Sequence, residues 1–154
     1  MGDARAEVLD REECLRLLAQ VPVGRVAVVD DGGPVVLPVN HRLVRTVGPE
    51  AREAVWVLMR TAVGSTLDRQ GLTPAAFQAD GIDEYHRRGW SVLARGVLHH
   101  LDTPSAAWLA EHCRPEPWLV GPLERWIGLE VTAISGRRLV DAEQTWVFHV
   151  RGYL

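Results

Sequence analysis

The stretch that decides the fold is Val55-Trp-Val-Leu-Met-Arg-Thr-Ala-Val-Gly-Ser-Thr-Leu-Asp68. Its first five residues are apolar, which predicts a buried strand. Arg60 and Thr61 follow at the end of that strand, and a Gly-Ser turn then opens a short helix over residues 65–70. A fixed positive charge, several hydroxyl groups and unpaired backbone N–H groups would therefore meet at one point. Such a point favours an anion, and phosphate in particular.

The same loop has a second interpretation that needs no ligand. Ser65 and Asp68 have the Ser-x-x-Asp spacing of a helix capping box, in which each side chain accepts a hydrogen bond from a backbone N–H of the first turn. The carboxylate of Asp68 would then compete with a phosphate for the same N–H groups. The loop by itself leaves both interpretations open.

Strands at short spacing dominate the rest of the chain. The D-x-x-E pattern of Asp10 and Glu13 opens a helix over about 10–20. Two β-branched runs around Asp-Gly-Gly-Pro predict a hairpin over 25–41, with a bulge or a local edge where Pro38 interrupts its second strand. Four further strands are expected, over residues 54–60, 75–79, 90–101 and 126–134, and a helix is expected from Thr103. Loops are expected over residues 44–49, 80–88 and 114–118. The segment 145–150 is expected either to form a strand or to pack on a partner. This order predicts an antiparallel barrel with accessory helices.

Composition and charge exclude several classes of function. The length of 154 residues predicts a single domain, and the net charge of −3 argues against nucleic-acid binding. No apolar run reaches the ~18–20 residues of a membrane helix, and the first residues lack a signal-peptide core, so we expect a cytoplasmic protein. Every basic residue is Arg, which excludes lysine Schiff-base chemistry. The six His show no metal-binding spacing, so we expect no metal site.

Four motifs in sequence order resemble the FMN-binding split-barrel superfamily. They are Gly24-Arg-Val-Ala-Val, Pro38-Val-Asn, Arg60-Thr with Gly64-Ser, and Gly89-Trp-Ser-Val-Leu-Ala-Arg-Gly. The chain looks most similar to the small pyridoxamine 5′-phosphate oxidase-like proteins, which include nitroimidazole-reductase-like members, over about residues 9–139. The resemblance implies a mainly β (α+β) fold. This would be a six-stranded antiparallel split β-barrel (Greek key) with flanking helices, a barrel over about 24–140 and a tail over 141–154.

The resemblance also implies a homodimer with FMN in a groove between two barrels. The cofactor-binding residues carried over are Pro38, Val39, Asn40, Met59, Arg60, Thr61, Ser65, Thr66, Trp90 and Ser91. The first three would run beside the flavin ring, Arg60 to Thr66 would hold the phosphate, and Trp90 would cover the flavin or plug the barrel end. Many relatives carry Lys where this chain has Thr66, which leaves Arg25, Arg69 or Arg95 to supply the missing charge. Arg137 and Arg138 are expected in a turn after the last strand.

The function implied is a flavin-dependent oxidoreductase that transfers a hydride to a small organic substrate, with NAD(P)H as a candidate electron donor. No catalytic side chain is assigned, since the flavin itself carries this chemistry. One alternative is a reductase of the same fold that uses the deazaflavin F420. The other is a flavin- or haem-binding carrier or sensor without turnover, in which His41 would be a candidate haem ligand or proton donor.

Overall fold

The computed structural model describes residues 4–113 and 121–141. Seven strands and two helices make up this part of the chain. In chain order they are β1 (Ala4–Leu9), α1 (Arg11–Gln20), β2 (Val23–Asp30), β3 (Gly33–Val47), β4 (Glu53–Thr61), β5 (Thr73–Asp83), β6 (Arg88–His100), α2 (Thr103–His112) and β7 (Arg125–Asp141). The loop 114–118 and the segment 145–150 that the sequence predicts lie outside the described residues. No helix in the described ranges is both long and apolar enough to cross a membrane.

The strands close into a ring. β2 pairs with β3, β3 with β4, β4 with β7, β7 with β6, β6 with β5, and β5 again with β2, and every pairing is antiparallel. These six strands are the predicted barrel. β1 is a seventh strand, which the sequence analysis missed, and it adds to the outer half of β7 opposite residues 136–141.

Two long strands make this closure possible because each is shared between neighbours. β3 pairs with β2 up to Asn40 and with β4 from His41 onward. Along β7 the pairing with β6 shifts between Arg95 and Gly96, so that Thr132 has no direct partner. A bulge of this kind bends the strand and increases its twist, as a barrel requires.

Apolar side chains at alternate positions of the strands fill the interior of the barrel. Val57 and Met59 of β4 and Phe77 of β5 point inward and are fully buried, as expected for the inner face of each strand. Helix α1 covers one end, where Leu17 and Leu18 belong to the same core cluster. As predicted, Asp10 caps this helix, and its carboxylate accepts from the Glu13 N–H at 2.8 Å.

Pro38 lies on a local edge of the sheet, which is one of the two arrangements that the sequence predicts there. It pairs with Arg25 in an unbroken register, so the other arrangement, a bulge, is not formed. In this half β3 pairs with β2 alone among the described strands, and a proline is tolerated on such an edge because no second ladder needs its N–H. Arg137 and Arg138 lie within β7, opposite Val8 and Glu7 of β1, and not in a turn. The missed strand β1 is the reason, since it extends the pairing of β7.

Candidate functional site

The middle of β3, the end of β4 and the start of β7 bring most of the predicted site residues to one edge of the barrel. His41 pairs with Met59, so Asn40 and Arg60 are neighbours across the two strands. Arg60 in turn pairs with Trp126. The segment 38–40 pairs with β2 and leads directly into the part of β3 that pairs with β4, and its predicted place beside a flavin ring stays a prediction.

Arg60 is a half-buried cation with an unused donor. Its Nη2 donates to the Leu123 carbonyl oxygen, and its guanidinium lies 5.3 Å from the centre of the Trp126 ring. Its Nε is buried and has no hydrogen-bond partner among residues 4–113 and 121–141. A buried donor without an acceptor costs about 1–3 kcal/mol, so such an atom calls for an explanation. An anionic ligand at this edge would supply the acceptor.

The loop after β4 confirms the capping interpretation. The Ser65 hydroxyl accepts from the Asp68 N–H at 3.1 Å, and the Asp68 carboxylate accepts from the Gly64 N–H at 2.7 Å. The predicted helix over 65–70 is only a 3₁₀ turn, Asp68–Gln70. The Gly64 and Asp68 N–H groups therefore donate to side chains of the loop, and the Ser65 N–H donates to the Ala62 carbonyl, so these three are not free for an anion. Any anion affinity must come mainly from the arginine side chains.

Asp68 also links the loop to the neighbouring strands. Its second carboxylate oxygen lies 3.4 Å from Arg125 Nε and 3.7 Å from His100 Nδ1. The Asp68 side chain is only 12% exposed, whereas that of Arg125 is 52% exposed. The Asp68 carboxylate therefore contacts two basic side chains, those of Arg125 and His100, and keeps Arg125 at the site. No local sequence signal marks Arg125, His100 or Trp126 as site residues. They come together here because β7 pairs with both β4 and β6.

The structure separates the arginines that the sequence left as candidates. Arg69 lies at the loop, where its Nη1 donates to the Gly64 carbonyl at 2.5 Å and its Nη2 to the Thr66 hydroxyl at 3.4 Å. Arg25 is paired with Asp80 at 3.3 Å on the outer face of β2 and β5. Arg138 is paired with Glu13 of helix α1. Arg95 and Arg137 are exposed on β6 and β7.

Hydroxyl groups connect β4 to the loop. The Thr61 and Ser65 hydroxyl oxygens lie 2.6 Å apart. Met59, by contrast, is fully buried, and Val39 packs against the core. Only the backbone of Met59 can therefore contact a ligand at this edge, whereas the Val39 side chain stays partly exposed.

Trp90 and Ser91 do not join the other predicted residues within one chain. They lie at the start of β6, whose 13 residues span up to about 40 Å, while Arg60 is near its end. The Trp90 indole packs on the core and fits because position 81 is glycine, where a Cβ would lie 2.5 Å from the indole nitrogen. Ser91 faces outward, 3.5 Å from the Gln78 amide nitrogen. Within one chain the Trp90 side chain therefore packs partly buried on its own barrel, away from Arg60.

The His41 side chain is buried and contacts the backbone of helix α1. Its side chain is only 5% exposed, and its Nε2 lies 3.0 Å from the Leu18 carbonyl of helix α1. Burial lowers the pKa of this imidazole, although the Leu18 contact acts in the opposite direction. The side chain is therefore neutral and enclosed at pH 7. This geometry contradicts the idea of His41 as a haem ligand or an accessible proton donor.

The described residues contain no cluster of three or more His, Cys, Asp or Glu side chains that could hold a metal ion. The arrangement at the barrel edge is instead a set of arginines and hydroxyl groups around one acid. Chemically, such a set can bind and orient a phosphorylated or otherwise anionic molecule.

Comparisons with known proteins agree with this fold and with the predicted resemblance. An uncharacterised protein of Mycobacterium tuberculosis is 32% identical over 140 residues, which cover 89% of this chain and 88% of that one. The solved structure of an FAD-binding protein from Mycobacterium smegmatis matches with a TM-score of 0.62 and 26% identity, covering 87% of this chain and 98% of that chain. A conserved protein of unknown function from Corynebacterium diphtheriae matches with a TM-score of 0.65 and 26% identity, covering 88% and 98%.

A protein-family model also matches most of the chain. Residues 10–138, which include the barrel from β2 almost to the end of β7, match the model described as pyridoxamine 5′-phosphate oxidase. The match contains every residue of the candidate site. The chain therefore belongs to the pyridoxamine 5′-phosphate oxidase family.

Proposed function

We propose that this protein binds a flavin nucleotide at the edge formed by β3, β4 and β7 and acts as a flavin-dependent oxidoreductase. The observation that carries the proposal is the buried, unpartnered Nε of Arg60 in a group of cations. Membership of the family and the likeness to a flavin-binding protein at 26% identity support it.

The residues at this edge fit the phosphate of a flavin. Among the described residues no carboxylate forms an ion pair with Arg60, so its positive charge is uncompensated. Thr61 follows Arg60 directly, and Ser65 lies in the loop after it. The hydroxyl groups of both residues offer neutral hydrogen bonds. A guanidinium can bind two phosphate oxygens at once, and such charge-assisted bonds are about twice as strong as neutral ones.

The flavin ring would then extend along the segment 38–40. Asn40 lies beside Arg60, and its amide donates to the Pro22 carbonyl at 3.4 Å, which orients the side chain at the strand edge. The amide can both donate and accept hydrogen bonds, which suits the polar edge of a flavin ring. When bound, the flavin supplies the transfer of a hydride or electrons, and the protein binds it, orients it and excludes water.

A homodimer is part of the proposal. Trp90 and Ser91 lie at the other end of β6 from Arg60, so they would reach the flavin of a partner rather than their own. Around Ser91 the outer face carries an exposed polar network in which Gln78 donates to Asp80 at 2.8 Å. Such a face suits a polar interface between two copies. A small organic molecule as substrate, NAD(P)H as electron donor and a cytoplasmic location remain predictions.

The cofactor can be identified on the purified protein. We expect a yellow protein whose extracted cofactor is FMN by mass. FAD, as in the relative from Mycobacterium smegmatis, would keep the flavin proposal and change only the nucleotide. F420 or haem would contradict it.

The role of Arg60 is tested by the dissociation constant of FMN. Arg60→Ala should raise this constant at least tenfold, which corresponds to about 1.4 kcal/mol. Arg52→Ala is the matched control, since Arg52 is an exposed arginine in the turn before β4, at the opposite end of that strand. Unchanged FMN retention in Arg60→Ala would refute the phosphate assignment.

A further inference from the structure

We propose that a pocket between helix α2 and the outer face of β3 and β4 binds a small, neutral aromatic molecule. The pocket has a volume of about 500 Å³, which is in the range of small-molecule sites. This inference goes beyond the proposed function, because the site needs neither a phosphate nor Arg60. The apolar side chains that line the pocket are those of Val44, Trp56, Leu58, Leu101, Pro104 and Trp108.

The pocket lies beside the candidate flavin site without overlapping it. Leu58 and Trp56 precede Arg60 by two and four residues on the same face of β4, so Trp56 is about 13 Å from Arg60 along the strand. On β3, Val44 pairs with Trp56, whereas the segment 38–40 lies before the part of β3 that pairs with β4. A flavin held at Arg60 and along residues 38–40 would therefore leave the pocket open.

The floor of the pocket is apolar and closely packed. Leu58 is buried in a small cluster on the outer face of the sheet, against which Trp56 and Leu101 pack. Position 128 of β7 is glycine, where a Cβ would lie 3.0 Å from the Trp56 ring and 3.4 Å from the Leu101 side chain. Because position 128 has no side chain, both neighbours can lie close against β7 beneath the pocket.

Trp108 forms a wall of the pocket from the side of helix α2. Its ring stacks on the His112 imidazole, with 4.7 Å between the ring centres and 13° between the planes. The His112 Nδ1 lies 2.9 Å from the Trp108 carbonyl oxygen, which fixes the imidazole against the helix. Trp108 is nevertheless 53% exposed. An aromatic ring that is oriented in this way and still exposed offers a surface on which a second ring can stack.

The lining selects for a neutral ligand. None of the described residues that line the pocket carries a charge, so an ion entering it would lose hydration without gaining a partner. Thr46 contributes a polar group to this lining, and its hydroxyl lies 3.5 Å from the Ala54 carbonyl oxygen, which is a long and weak contact. The hydroxyl can therefore form a hydrogen bond with one polar group of a ligand.

The shape of the site favours a small molecule over a partner protein. The walls come from a sheet face and a helix, so the space between them is a cleft rather than a flat patch. Apolar cavities hold water poorly and bind small apolar molecules. A stable protein interface, by contrast, covers about 800 Å² on each partner, far more than this group of side chains offers.

The test uses two probes, 1-naphthol and 1-naphthoate, which share a ring system but differ in charge at pH 7. Isothermal titration calorimetry measures their binding to the wild type, to Trp108→Ala, which removes a wall, and to Val44→Phe, which fills the pocket. Tyr85→Ala is the control, since Tyr85 is an exposed aromatic residue in the turn between β5 and β6.

We expect the wild type to bind one 1-naphthol per chain, at least tenfold more tightly than 1-naphthoate and with a negative change in heat capacity. Trp108→Ala and Val44→Phe should each weaken this binding about tenfold, whereas Tyr85→Ala should leave it unchanged. Trp108→Ala alone decides if Val44→Phe does not fold, because Trp108 is exposed and its removal leaves the buried cluster intact.

Three results would overturn the inference. If 1-naphthoate binds more tightly and Arg60→Ala abolishes its binding, the probe occupies the cation site, and the pocket is refuted while the proposed flavin site stands. The pocket is also refuted if 1-naphthol shows no saturable binding, or if Trp108→Ala and Val44→Phe leave its binding unchanged. If 1-naphthol does not bind and Val44→Phe changes the oligomeric state in size-exclusion chromatography, this surface is an interface between copies of the chain.

Discussion

Protonation of His41 should weaken the attachment of helix α1 to the barrel. The Nε2 of this imidazole contacts the Leu18 carbonyl at 3.0 Å, and its Nδ1 is buried without a partner. Because the Leu18 contact needs a proton on Nε2, the second proton would go to Nδ1, where no acceptor is present among the described residues. The Phe77 ring lies 4.6 Å away and leaves an apolar environment for the new charge.

The magnitude follows from the lowered pKa. Burial holds the pKa of His41 below its usual 6.5 in the folded state, so below pH 6.5 the unfolded chain binds more protons than the folded one. The free energy of unfolding must therefore fall as the pH falls below this value. The slope is at most about 1.4 kcal/mol per pH unit, which gives a loss of up to about 2 kcal/mol between pH 6.5 and pH 5.

The assay is urea unfolding at pH 7, 6 and 5 for the wild type and for His41→Gln. Glutamine keeps an N–H donor for the Leu18 carbonyl but does not titrate, so its stability should change much less over this range. Other groups titrate equally in both proteins, so the difference in slope between the wild type and His41→Gln reports on His41. A wild type whose stability is constant from pH 7 to pH 5, or a His41→Gln variant with the same slope, would refute the reasoning.

Two further predictions test the barrel and its helix. Gly96→Ala should lower the free energy of unfolding by about 3 kcal/mol, because a Cβ at this position would lie 1.8 Å from the Glu130 carbonyl oxygen. Chemical denaturation measures this loss. Gly48→Ala is the control, since the atom nearest to a Cβ at position 48 is 3.6 Å away. Arg16 and Arg138 lower the pKa of Glu13 to about 2, so its stabilising effect is complete above about pH 4.5 and is lost as the pH falls towards 2. Thermal unfolding should show Glu13→Gln less stable than the wild type at pH 6 and equal to it near pH 2, and an equal difference at both pH values would contradict the ion pairs.

Local signals were sufficient to predict several elements. The D-x-x-E pattern placed helix α1 almost to the residue, since the cap is a contact between neighbours in sequence. The Asp-Gly-Gly-Pro turn gave the β2–β3 hairpin, in which Asp30 pairs with Gly33. The Ser-x-x-Asp box was also correct as a set of hydrogen bonds. In each case the stabilising contacts lie within a few residues, so the sequence alone displays them.

Features that depend on distant pairing could not be predicted in the same way. β1 is stabilised by residues 136–141, and its short sequence has no strong strand signal of its own. Whether Pro38 lies on an edge or inside the sheet depends on which strands pair with β3 at that point. The cations of the site come from β4, β7 and the loop, and only the closed barrel decides that Arg69 faces the loop while Arg25 pairs with Asp80. The sequence resemblance supplied the family but not this arrangement.

The most direct test of the central claim is a crystal structure of the protein with FMN bound. The account predicts the phosphate within hydrogen-bond distance of the Arg60 Nε, the atom that is buried and unpartnered in the ligand-free chain. It also predicts the flavin ring along residues 38–40. A flavin phosphate bound away from β4, with Arg60 Nε still without an acceptor, would contradict the account.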